Sequence, residues 1–133
     1  MNSLAEALRE RGIKVYMQRR LCGLADMNRV AEQSDLIIYA TFVGVHAPAG
    51  MMRLFGEECT TYYHAFKAGK EKSIGVSFGY PYVHYDTMDN ADVFINAYNM
   101  NENTMRAFVS AMFGEIEICG KSPVLLEPRA NTK

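Results

Sequence analysis

Leu36-Ile37-Ile38-Tyr39-Ala40-Thr41-Phe42-Val43 is the stretch on which the fold turns. Its apolar residues run almost without interruption. A strand with one wet face alternates apolar and polar residues. A continuous run marks a strand covered on both faces, as in a parallel sheet between helices. Working outward, residues 73–78 and 93–97 read as further buried strands, 13–17 as another, and 124–126 as the strand that closes the sheet. Helical periods lie between them. Met105, Phe108, Val109, Met112 and Phe113 recur at i, i+3, i+4, i+7 and i+8, which predicts a helix stopped by Gly114. Met51, Phe55, Cys59, Tyr62, Tyr63 and Phe66 predict a second helix, ended by Gly69. Ser3 and Glu6 have capping-box spacing around Leu4, Ala7 and Leu8, and Gly12 supplies a left-handed stop. Asp26 is placed to cap a short helix carrying Met27, Val30 and Ala31. Helices alternating with buried strands predict the α/β class: a three-layer α/β/α sandwich with a mostly parallel open sheet.

The 133 residues fit one domain, spanning 1–133, and 49% hydrophobic content suffices for a packed core. Fourteen Lys and Arg residues against fifteen Asp and Glu leave a net charge of −1. No basic stripe with interleaved aromatics appears, so nucleic acid is not an expected partner. Arg19-Arg20 and Lys70-Glu71-Lys72 read as solvated turn residues. No apolar run reaches the roughly 18–20 residues of a membrane span, so no membrane partner is expected. Cys22, Cys59 and Cys119 are odd in number and form no C-x-x-C pair. Cys59 and Cys119 are expected to be small core residues, and a cytoplasmic setting is slightly favoured. Residues 1–12 are amphipathic and do not have the pattern of a signal peptide.

Reactive chemistry is sparse. Gly75-Val76-Ser77-Phe78-Gly79 matches the G-x-S-x-G elbow of α/β-hydrolases. That chemistry needs a helix directly after the serine, and an acid and then a histidine further on. Here Tyr80-Pro81-Tyr82 follows, and His84 precedes Asp86 with no later histidine. The stretch therefore reads as a buried strand whose glycines permit close backbone approach. His46, His64 and His84 lack metal-ligand spacing, and no metal or cofactor is expected. His84, Asp86 and Asp89 form at most a weak loop pair, and Glu57-Glu58 reads as a solvated helical face. The sequence nominates no catalytic residue. It does nominate a rim. Open α/β sheets bind ligands at the carboxyl ends of their strands. The loops carrying His46, Tyr80, Pro81, Tyr82 and Tyr98 should open there, as a sugar-facing or interface surface.

Three segments of the last third carry a resemblance: Phe78-Gly79-Tyr80-Pro81-Tyr82, Asn96-Ala97-Tyr98, and Phe113-Gly114-Glu115-Ile116 running to Gly120-Lys121-Ser122-Pro123-Val124. Together they resemble the C-terminal domain of family 3 glycoside hydrolases, above all the bacterial β-N-acetylhexosaminidase branch. The resemblance covers nearly the whole chain. It implies a domain that follows a catalytic barrel, with the nucleophilic Asp and a His/Asp acid–base pair both on the barrel. In the β-glucosidase branch a Glu of the second domain supplies the acid/base, within a Glu-x-x-Asp-Arg-like stretch. Glu57-Glu58 has no Asp-Arg after it, which favours the hexosaminidase-like parent. The expected function is thus an accessory domain of an enzyme cleaving β-linked N-acetylglucosamine, with a barrel as partner. The alternative is a stand-alone binding or oligomerisation module.

The resemblance also implies a flavodoxin-like sheet lacking its first strand, because the family has a strand before the segment like Leu4–Val15. That strand would lie between 13–17 and 36–43. Its loss would leave an unpaired edge and favour self-association.

Overall fold

The structure is a computed structural model that describes residues 1–17, 24–44, 69–84, 91 and 93–126. Its helices are α1 (Asn2–Glu10), α2 (Leu24–Gln33) and α3 (Glu102–Met112). Its strands are β1 (Ile37–Thr41), β2 (Ser73–Ser77) and β3 (Val93–Asn96). The strands form one parallel sheet in the order β1-β2-β3. The chain is therefore an α/β protein with an open parallel sheet. No described helix is long and apolar enough to cross a membrane.

The three central runs became strands because each side of the sheet is packed. On one side, Ile38 and Ala40 of β1, Val76 of β2 and Ile95 of β3 meet Leu4, Ala7 and Leu8 of α1 and Met105, Phe108 and Val109 of α3. Phe78, just past β2, completes that cluster and meets Phe108 edge to face at 5.9 Å. On the other side, Val43 and Val83 pack with Phe94. Ile37, on the opposite pleat from Ile38, and Ala31 of α2 both lie close to Gly69.

Of the three helix stops foreseen at glycines, Gly12 and Gly114 are Schellman motifs, and the helix before Gly69 lies outside the described residues. Gly12 has φ +79°; its N–H bonds to Arg9 O at 2.9 Å, and Ile13 N–H bonds to Leu8 O at 3.2 Å. Gly114 has φ +71°, with Gly114 N–H on Ala111 O and Glu115 N–H on Ser110 O. Arg106 clamps α1 to α3, holding Glu10 at 2.6 Å and Glu102 at 3.0 Å. The Arg106 guanidinium keeps the Glu10 carboxyl below its ordinary range. Arg11 adds an ion pair to Glu115 and lies over the Phe113 ring at 5.4 Å.

Several expectations are corrected. Residues 13–17 form no strand: Val15 packs on the core and its carbonyl takes the Arg9 guanidinium, but no ladder partner joins it among the described residues. Residues 124–126 form no strand either. A strand exists only as part of a ladder, and composition alone did not supply a neighbour. Ser3 does not cap α1; the N-cap is Met1, without a side-chain bond, and Ser3 lies inside the first turn. Asp26 likewise lies within the first turn of α2, where it pairs with Arg29 at 3.1 Å. Cys119 is exposed, because the strand meant to bury it did not form. Phe113 caps α3 and stays exposed beside Arg11. The helix expected through Met51 and Phe66, together with Cys22 and Cys59, lies outside the described residues.

Candidate functional site at the carboxyl edge of the sheet

The register sets Thr41, Ser77 and Asn96 side by side at the carboxyl ends of β1, β2 and β3. Backbone bonds extend the ladder past them. Phe78 N–H reaches Thr41 O at 2.8 Å, Tyr80 N–H reaches Val43 O at 3.2 Å, and Ala97 N–H reaches Ser77 O at 2.8 Å. The loops leaving the three strands therefore start from one fixed edge.

The G-x-S-x-G stretch holds this edge together and presents no nucleophile. Ser77 is completely buried, and its hydroxyl donates to Tyr80 O at 2.8 Å while accepting a long bond from Gly79 N–H at 3.4 Å. The first element after the strand is a 3-10 turn, Pro81–Val83. Gly75 is required because the Phe94 ring lies on it, and a Cβ there would come within 2.4 Å of the ring. At Gly79 a Cβ would come within 2.3 Å of Val43 O. Close backbone approach, as expected from the sequence, explains Gly79, whereas Gly75 makes room for a side-chain ring.

The rim residues divide. Tyr80 is exposed, in the extended backbone that a residue before proline prefers. Pro81 is buried and anchors the turn, and Tyr82 is half-buried. Tyr98 is exposed and holds φ +60°, the left-handed region that bulky residues avoid. Its hydroxyl shares a 2.8 Å hydrogen bond with Ser122, whose hydroxyl also lies 2.7 Å from Val124 O. Thus Tyr80 and Tyr98 share the carboxyl edge, while His46 lies outside the described residues. So do His64, Asp86, Asp89, Glu57 and Glu58. His84 meets the Phe94 ring edge to face at 5.5 Å, and burial lowers its pKa by disfavouring the charged imidazolium.

Two members of this edge were missed in the sequence. Phe42 was absorbed into the apolar run, yet it lies beyond the last ladder residue of β1 and is 52% exposed. Asn96 ends an otherwise apolar strand, and its Oδ1 is buried without a hydrogen-bond partner. A polar residue closing the Val-Phe-Ile run was the available signal. Asn101 is already engaged, capping α3 through Thr104 N–H at 2.8 Å.

Compared with protein-family models, curated proteins and solved structures, the chain matches none.

Proposed function

We propose that this chain is the accessory, non-catalytic α/β domain of a glycoside hydrolase that cleaves β-linked N-acetylglucosamine. The observation that carries the proposal is the character of the carboxyl edge. The described part of this carboxyl edge is lined by tyrosines, hydroxyls and amides, and Ser77 of the G-x-S-x-G stretch is buried in a turn. Glycoside hydrolysis generally uses two carboxyl groups flanking the scissile bond. The described part of this edge offers none, and the resemblance places both catalytic functions on a preceding barrel. The domain's partner is then that barrel, and its rim faces the barrel or the sugar that the barrel holds. The parent reaction proceeds through a covalent glycosyl–enzyme intermediate formed and hydrolysed on the barrel.

The purified chain is expected to show no turnover of an aryl N-acetyl-β-glucosaminide above background. Activity that survives purification and disappears on changing Glu57, Glu58 or Asp86 to alanine would overturn the non-catalytic assignment.

One observation favours the second reading, a stand-alone oligomerisation module. Among the described residues β1 and β3 each pair only with β2, and neither carries the charge or proline that guards a free edge. Leu36 and Phe42, flanking β1, and Val93, the first residue of β3, are exposed. Sedimentation over a concentration series is expected to show reversible self-association. A strictly monomeric particle at millimolar concentration would remove this reading.

A further inference from the structure

Residues 113–123, which follow α3, are all exposed, and none belongs to a helix or strand. Their apolar members gain little from the position they hold: Ile116 and Ile118 are 48% and 61% exposed. Among the described residues, 116–121 make no backbone hydrogen bond. A Cβ added at Gly120 would meet nothing within 4 Å. A stretch with neither ladder nor buried side chains has almost no packing of its own to hold it in place.

Two ties do hold it, one at each end. At its start Gly114, with φ +71°, turns the chain out of α3, and Glu115 pairs with Arg11, the C-cap of α1. At its end Ser122 meets Tyr98, in the loop after β3, at 2.8 Å. The Ser122 hydroxyl has one proton and gives it to Val124 O at 2.7 Å, so the Tyr98 hydroxyl is the donor in this second tie. Tyr98 is also the one non-glycine among the described residues with positive φ, at +60°. Holding a bulky residue there costs free energy of the same order as a single hydrogen bond returns. The second tie is therefore close to balance, while the first is reinforced by the Phe113 ring beneath Arg11.

We propose that residues 115–122 form a strap that opens as a unit, with Gly114 as its hinge and the Tyr98–Ser122 hydrogen bond as its latch. Opening breaks the latch and frees Tyr98 to return to negative φ, and it leaves the core cluster of the sheet, α1 and α3 intact. Element ends are where such hinges fall, and the open space around Gly114 leaves the turn free to swing. The strap stands on these contacts alone and is independent of the proposed parent reaction.

The test is limited trypsin cleavage of the full chain, followed by mass spectrometry at the Lys121–Ser122 bond, in the wild type, Tyr98→Phe, Ser122→Ala and the double variant. When opening is fast relative to cleavage, the rate follows the open population. Tyr98→Phe keeps the ring and loses only the latch, so cleavage after Lys121 should quicken about fivefold with an unchanged urea midpoint. Tyr98→Phe should add nothing to Ser122→Ala, because the two share one bond. The ¹⁵N order parameters of 116–121 should fall below about 0.6 in Tyr98→Phe, while those of 105–109 stay near about 0.85. Equal cleavage after Lys121 in the wild type and Tyr98→Phe overturns the latch. A further increase in the double variant overturns it as well. Equal acceleration after Lys14 would show general loosening and overturn the strap as a unit.

Discussion

Phe78→Ala is expected to lower the unfolding free energy by about 3–5 kcal/mol. Phe78 is completely buried and sits where the sheet, α1 and α3 converge. Its ring meets Phe108 edge to face, and Leu4, Leu8 and Met105 belong to the same cluster. Truncation removes the transfer free energy of the ring and leaves a cavity that two helices and a sheet cannot easily collapse. Domains of this size are stable by only about 5–15 kcal/mol, so a large share of the fold's stability goes with one side chain. Urea unfolding followed by circular dichroism measures the change. A loss below about 1 kcal/mol would mean that α1 and α3 close over the site, and that the cluster is looser than described.

Gly79→Ala should be nearly as damaging, by about 2–4 kcal/mol, for a different reason. The added methyl would sit 2.3 Å from Val43 O and 3.0 Å from Val43 N. Both are backbone atoms, so no rotamer change relieves the overlap. The end of β1 must move away from the turn after β2, which strains the Tyr80 N–H bond to Val43 O and the turn closed by Ser77. Thermal unfolding and the amide signals of Val43 and Tyr80 report both effects. A variant with unchanged midpoint and unchanged Val43 signal would show that the two backbones are not in contact.

Much of the fold was legible because the strands carry apolar residues that pack on both sides of the sheet. Residues 36–43 form a nearly continuous apolar run, 73–78 and 93–97 read as further buried strands, and each holds a strand within one or two residues of those bounds. The period of Met105, Phe108 and Val109 gave α3 in the same way, since one face of a helix must meet the sheet. Residues 13–17 and 124–126 were not legible. Their composition suits a strand, but strand formation depends on a neighbour that local sequence does not name. The caps failed more narrowly. Ser3 and Asp26 are good capping residues, yet each helix starts earlier and takes them into its first turn. Helix starts commonly shift by a residue or two when packing favours the longer helix.

The candidate site was half legible. Tyr80 and Tyr98 followed from one topological rule, that loops after parallel strands share the carboxyl edge. Phe42 did not, because within an apolar run a residue past the ladder looks like one inside it. Asn96 did not, because one amide at a strand end carries no signal until its partners are counted. Ser77 was read as part of a buried strand, and it is completely buried with its hydroxyl consumed within its own turn.

The central claim is that this domain serves a catalytic barrel on the same polypeptide. Peptide mass mapping of the polypeptide isolated from its native source tests it most directly. The account predicts peptides from a barrel of about 250 residues covalently continuous with residues 1–133, carrying an acidic nucleophile. A native polypeptide of 15.0 kDa that begins at Met1 and ends at Lys133 would contradict it.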